Sequence, residues 1–98
     1  MNPSPEVQNF NQRYAARWGA LPDAWSALGY DSANVLADAL KRAGAADPKK
    51  IRDALAATKA FPAVTGQITI DAKRNASKSA VILTIKDGKY KFVTSVAP

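Results

Sequence analysis

Residues 28–55 contain two consecutive amphipathic helices, and this tract restricts the fold more than any other part of the chain. Trp25, Leu28, Val35, Leu36, Ala39, Leu40 and Ala43 recur at spacings of three and four, which gathers them on one helix face. Lys41 and Arg42 sit in the last turn, where cations suit the helix dipole. Gly44 ends that helix. Asp47 caps the next one and Pro48 opens it, with Ile51, Ala54 and Leu55 turned inward and fraying expected near Thr58-Lys59. Asp23 is the predicted cap of the first helix of the pair. Gly29, poor in a helix interior, predicts either a bend there or a start delayed to Tyr30-Asp31.

An earlier helix begins at Ser4-Pro5-Glu6, a capping hydroxyl, a first-turn proline and an acid at the positive dipole end. Val7, Phe10, Tyr14 and Trp18 form its apolar stripe, and Gly19 ends it. Beyond Leu55 the periodicity changes. Phe61-Pro62-Ala63 is a connector, since Pro62 cannot continue a helix. Gln67 to Asp71 reads as a short strand and 72–77 as a polar loop. Ala80 to Ile85 is a nearly continuous apolar run, the pattern of a strand buried on both faces. Asp87-Gly88 signals a type I′ hairpin turn. Tyr90 to Val96 then alternates as a half-exposed strand. The predicted class is α+β, with three helices followed by a three-stranded, hairpin-containing sheet.

The side chains present exclude most chemistry. The chain has no cysteine and no histidine, which removes thiolate sites, the commonest general base and the commonest metal ligand. Its eight acids are spread singly, and several are already used as caps. No phosphate-binding glycine loop and no Ser-x-x-Lys occurs. Ser77, Lys78 and Ser79 read as solvated loop residues, and Asn75-Ala-Ser77 as a chance glycosylation triplet. No catalytic residue, metal or cofactor is expected. The net charge is +6, but the fourteen cations are scattered without a block, so nucleic acid is not an expected partner. The apolar runs fall far short of the roughly 20 residues that span a membrane.

Three residues remain as candidate ligand contacts: Trp25, Tyr30 and Asp31. Aromatics near a helix start can line a cleft, although core packing is their commoner use. Asp31 could cap locally after Gly29, or meet a ligand amine or hinge backbone.

The ordered motifs resemble those of bacterial periplasmic solute-binding proteins of the branched-chain amino acid type, the receptors of ABC importers. Phe10, Tyr14, Trp18 and Gly19 match that family's Phe-x-x-x-Tyr-x-x-x-Tyr-Gly, with Trp for the second Tyr. Pro22 and Tyr30-Asp31-Ser32 follow in order, the last departing from Tyr-Asp-Ala. Leu36, Ala39, Leu40, Ala43 and Gly44 match Leu-x-x-Ala-Leu-x-x-Ala-Gly, and Ile51, Ala54 and Leu55 match Ile-x-x-Ala-Leu. Val64, Thr65, Gly66, Ile68 and Asp71 match Val-Thr-Gly-x-Ile-x-Phe-Asp, with Ile70 for Phe. Arg74-Asn75 stands where the family often has Asn-Gly.

The resemblance implies that residues 1–98 are one partial domain, the C-terminal segment of a doubly wound, two-lobed receptor. It implies a small-molecule ligand, an amino acid or an aromatic or aliphatic carboxylate, bound only with the rest of the receptor. It also implies an ABC permease as partner, a periplasmic location and no enzymatic activity. Trp25 is the position that would line the ligand's side-chain pocket. Residues 1–6 carry no signal-peptide pattern, and Met1 reads as a start added to an excised segment. Helix faces without their sheet would favour a homodimer. Two other readings stay open: a self-standing protein-interaction module, and the ligand-sensing segment of a regulator with the same fold.

Overall fold

The computed structural model describes residues 4–98; Met1, read above as an added start, lies outside the described residues. The chain is α+β: helices α1 (Pro5–Trp18), α2 (Ala24–Ala43) and α3 (Pro48–Ala56) precede strands β1 (Phe61–Ala63), β2 (Gly66–Ile70), β3 (Ala76–Ser77), β4 (Ala80–Lys86) and β5 (Lys89–Val96). Each helix begins as its capping residue dictates. Ser4, Asp23 and Asp47 accept from the backbone N–H groups of Val7, Ser26 and Lys50. Gly44 ends α2 in the left-handed conformation (φ 71°), returning its N–H to the Leu40 carbonyl. The helix does not break at Gly29. It runs continuously, so Asp31 lies in its interior and caps nothing.

The strands differ from expectation in number and grouping. Among the described residues, five strands form two separate antiparallel units, a small sheet in the order β1-β2-β3 and a hairpin of β4 with β5. Phe61-Pro62-Ala63 is not a mere connector. It pairs with Gly66–Ile68 as an edge strand, a position that tolerates proline. Ala76–Ser77 pairs with Thr69–Ile70, so part of the predicted polar loop is strand. The Asp71 carboxylate accepts from the N–H groups of Lys73 and Asn75, and Arg74 takes the left-handed φ of 68° itself. Asp87 and Gly88 both have positive φ, as a type I′ turn requires. Opposite Ile82 and Leu83 of β4 the partner on β5 jumps from Thr94 to Phe92, which leaves Val93 as the extra residue of a bulge.

The core is thin. Val7, Phe10, Ala27, Val35, Ala39 and Ile68 are the buried apolar residues among those described. On α2 the spacing of four from Ala27 through Asp31 and Val35 to Ala39 makes the covered stripe. The neighbouring stripe of Trp25, Leu28, Leu36 and Leu40 is exposed. The α3 residues Ile51 and Leu55 are half-buried at best, and with Ile70 they border an apolar hollow of about 720 Å³. Thr58 does not fray; it is buried at the end of α3. The double-sided burial expected of Ala80–Ile85 is absent, because β4 and β5 pack chiefly on each other.

The dimensions agree with this. The accessible surface is 7275 Å² for 10.4 kDa, where a closed monomer of that mass would show about 5,400 Å². The radius of gyration is 15.3 Å, against about 12.6 Å for a compact domain of this length. Apolar surface that a closed domain would bury is therefore bare on α2, α3 and the hairpin.

Candidate functional site

The α2 helix carries all three sequence candidates, and it separates them. At about 100° per residue, Tyr30 is turned roughly 140° from Trp25, and Asp31 a further 100°. The three side chains therefore leave the helix in different directions. Trp25 stands in the first turn, 80% exposed, on the bare apolar face. Tyr30 turns to α1. Its ring lies 4.8 Å from that of Phe10, centroid to centroid, and Arg13 Nη1 donates to its hydroxyl at 3.4 Å. Asp31 is 2% exposed and turns toward the link between β1 and β2.

The Asp31 carboxylate is occupied within the chain. Oδ1 accepts from Val64 N–H at 2.9 Å, and Oδ2 accepts from Thr65 N–H at 2.9 Å and Thr65 Oγ1 at 2.6 Å. Thr65 Oγ1 in turn accepts from Lys78 Nζ at 2.8 Å. Lys78 is thus half-buried and bonded, in contrast to the solvated loop residue expected. Nothing local in the sequence signals that bond, since its two residues are thirteen positions apart.

Between α1, α2 and β1 lies an open cleft of about 420 Å³, bordered by Phe10, Arg13, Tyr30, Asn34, Asp38 and Lys41. Its charges are of both signs. Asp38 forms an ion pair with Arg42 at 2.9 Å. Arg42 also donates to the Ala54 carbonyl at 2.8 Å and to Thr58 Oγ1 at 3.0 Å, joining α2 to the end of α3. No group of three or more His, Cys, Asp or Glu residues able to hold a metal occurs among the described residues. No described helix is long and apolar enough to cross a membrane.

At the start of α2, next to Trp25, Asp23 accepts from Ser26 N–H and Ser26 Oγ, both at 2.8 Å. The Ser26 N–H, followed by its hydroxyl, holds the Asp23 carboxyl below its ordinary value. A carboxyl lowered by folding adds stability above its unfolded pKa and loses it as pH falls through the folded one. The melting-temperature gap between the parent chain and Asp23→Ala is therefore expected to be full at pH 6 and to narrow below about pH 4. Melts at pH 6 and pH 3 check this, and a gap that widens in acid would contradict it.

Comparison with solved structures covers nearly all of this geometry. A leucine-binding protein from Thermotoga maritima matches with 37% identity over 97% of this chain, at a TM-score of 0.82. A branched-chain amino acid transporter substrate-binding protein from Streptococcus pneumoniae, solved with isoleucine, matches with 38% identity over 97% of this chain, at 0.83. This chain spans 27% of the length of each. A solute-binding protein from R. palustris in complex with benzoate has the same fold at 24% identity, covering 98% of this chain and 27% of its own, at 0.82. The family model described as periplasmic binding protein matches residues 2–89, and on that extent of agreement the chain belongs to the periplasmic binding protein family.

Proposed function

We propose that this chain is the C-terminal segment of an extracytoplasmic receptor that binds an amino acid, or a related small carboxylate or amide, and delivers it to an ABC importer. The observation that carries this reading is its agreement with leucine- and isoleucine-binding receptors over 97% of its length, as 27% of theirs. The bare apolar surface of α2, α3 and the hairpin supports it, because the remaining three-quarters of a receptor would cover that surface. The role is binding and handover, without chemistry on the ligand. The receptor works in the periplasm beside its permease, and residues 1–98 act as part of a lobe and not as a complete binding unit.

Trp25 is the proposed ligand-facing residue. Its indole is exposed at the first turn of α2 and presents a broad apolar surface without a partner of its own among the described residues. Tyr30 and Asp31 serve the site from behind, fixing α2 against α1 and against Val64-Thr65.

The test is a chimera in which this chain replaces the corresponding segment of the Streptococcus pneumoniae receptor. Calorimetry with leucine, isoleucine, valine, phenylalanine and benzoate should detect binding of at least one. Trp25→Ala in the chimera should weaken that binding at least about tenfold. A folded chimera that binds none of the panel would count against the receptor reading. Undiminished affinity in Trp25→Ala would remove the indole from the site.

A further inference from the structure

The hairpin of β4 and β5 is joined to the rest of the chain by a link of two residues, Lys78 and Ser79, between β3 and β4. Its strands pack chiefly on each other, and Val81, Ile82, Leu83, Ile85, Tyr90, Val93 and Val96 are all exposed. Among the described residues, packing therefore does little to set the direction in which the hairpin leaves. One residue of the link is nonetheless anchored. Lys78 Nζ reaches back to Thr65 Oγ1 at 2.8 Å.

The anchor point is itself rigid. A threonine hydroxyl has one proton to give. Thr65 gives it to Asp31 Oδ2 at 2.6 Å, which leaves only lone pairs facing Lys78. Asp31 is buried in the middle of α2 and also binds the N–H groups of Val64 and Thr65. The chain of contacts runs from a helix interior, through a turn, to the joint of the hairpin. A charged donor on an oriented acceptor makes a stronger and more directional bond than a neutral pair.

We propose that Asp31, Thr65 and Lys78 form a latch that sets the orientation of the hairpin on the helical layer, with Lys78 as its releasable arm. Lys78 is a positioning residue. It contributes little to the stability of the helices and the small sheet, and it restricts the swing of β4 and β5 about the Lys78-Ser79 link. The contacts it rests on lie within this chain, and the swing it describes is that of these 98 residues by themselves.

The absence of cysteine makes a direct test clean. Ala33→Cys on the exposed side of α2 and Lys89→Cys at the hairpin turn take spin labels, and pulsed electron paramagnetic resonance reads the distance between them. Dilution with unlabelled chain removes intermolecular distances. The parent should give one narrow distribution. Lys78→Met should broaden it about twofold or more while circular dichroism and melting temperature stay close to the parent's. Thr65→Val should broaden it as well, and Thr65→Ser, which keeps the hydroxyl, should restore the narrow distribution. An unchanged width in Lys78→Met would overturn the latch, as would a broad distribution in the parent. Loss of helical signal in Lys78→Met would also overturn it, since Lys78 would then be holding up the fold and not a joint.

Discussion

Asp31→Ala is expected to cost about 3–5 kcal/mol. The side chain is 2% exposed and accepts three hydrogen bonds. Its removal leaves the N–H groups of Val64 and Thr65 part-buried without partners, and each such group costs about 1–3 kcal/mol. It also frees Thr65 from α2. The chain has little reserve, because at about 0.05 kcal/mol per residue a thinly packed domain of this length holds about 5 kcal/mol. Asp31→Ala should therefore keep only about 0–2 kcal/mol of stability, with up to about half of the chain unfolded at 25 °C. Asp31→Asn keeps the shape but points an amide N–H at one of the donors, and an intermediate loss is expected. Urea unfolding of the three chains measures both values. A loss below about 1 kcal/mol in Asp31→Ala would mean that water replaces the carboxylate, and that the link to Val64-Thr65 does not hold the fold together.

The elements that were legible in the sequence are those whose cause lies within a turn of chain. Ser4, Asp23 and Asp47 cap by reaching three residues forward, Gly44 closes α2 on Leu40, and Asp87-Gly88 makes its turn unaided. What was not legible depends on residues far apart. Asp31 meets Val64 and Thr65 more than thirty positions on, and its sequence neighbours leave a local cap, a ligand amine and a backbone contact all open. Lys78 reads as loop for the same reason. Arg74 shows a subtler limit, because a left-handed φ favours glycine, yet the doubled acceptance by Asp71 holds the turn with arginine in place. The run from Ala80 to Ile85 is different again. Its composition correctly marks a strand, but says nothing of whether the covering surface belongs to the same 98 residues. For the candidate site, the residues on α2 could be chosen from sequence, and their divergence could not be seen until the helix was known to be continuous through Gly29.

Arg42→Ala is expected to cost about 2–3 kcal/mol, and Asp38→Ala well under 1 kcal/mol, although the two residues form one ion pair. The pair itself is weak because its partners are 37% and 36% exposed and water screens them. Arg42 does more through its other nitrogens. Nη1 reaches the Ala54 carbonyl, one of the acceptors that the last turn of α3 leaves without a helical partner, and a cation there also meets the negative dipole end. Nη2 reaches Thr58 Oγ1, which is buried and whose own carbonyl accepts from Ile70 N–H of β2. One guanidinium thus holds α2, the end of α3 and the small sheet together. The consequence is large because α3 is weak alone. It has nine residues, none of them buried, and an isolated helix below about 12 residues is marginal in water. Arg42→Lys should recover less than half of the loss, since a single ammonium cannot span acceptors that the planar fork reaches together. Urea unfolding of the three variants, with hydrogen exchange on residues 51–56, checks the order. Equal losses from Asp38→Ala and Arg42→Ala would place the energy in the ion pair. Early exchange of α3 in Arg42→Ala, while α1 and α2 stay protected, would place it in the fork that ties α3 to its neighbours.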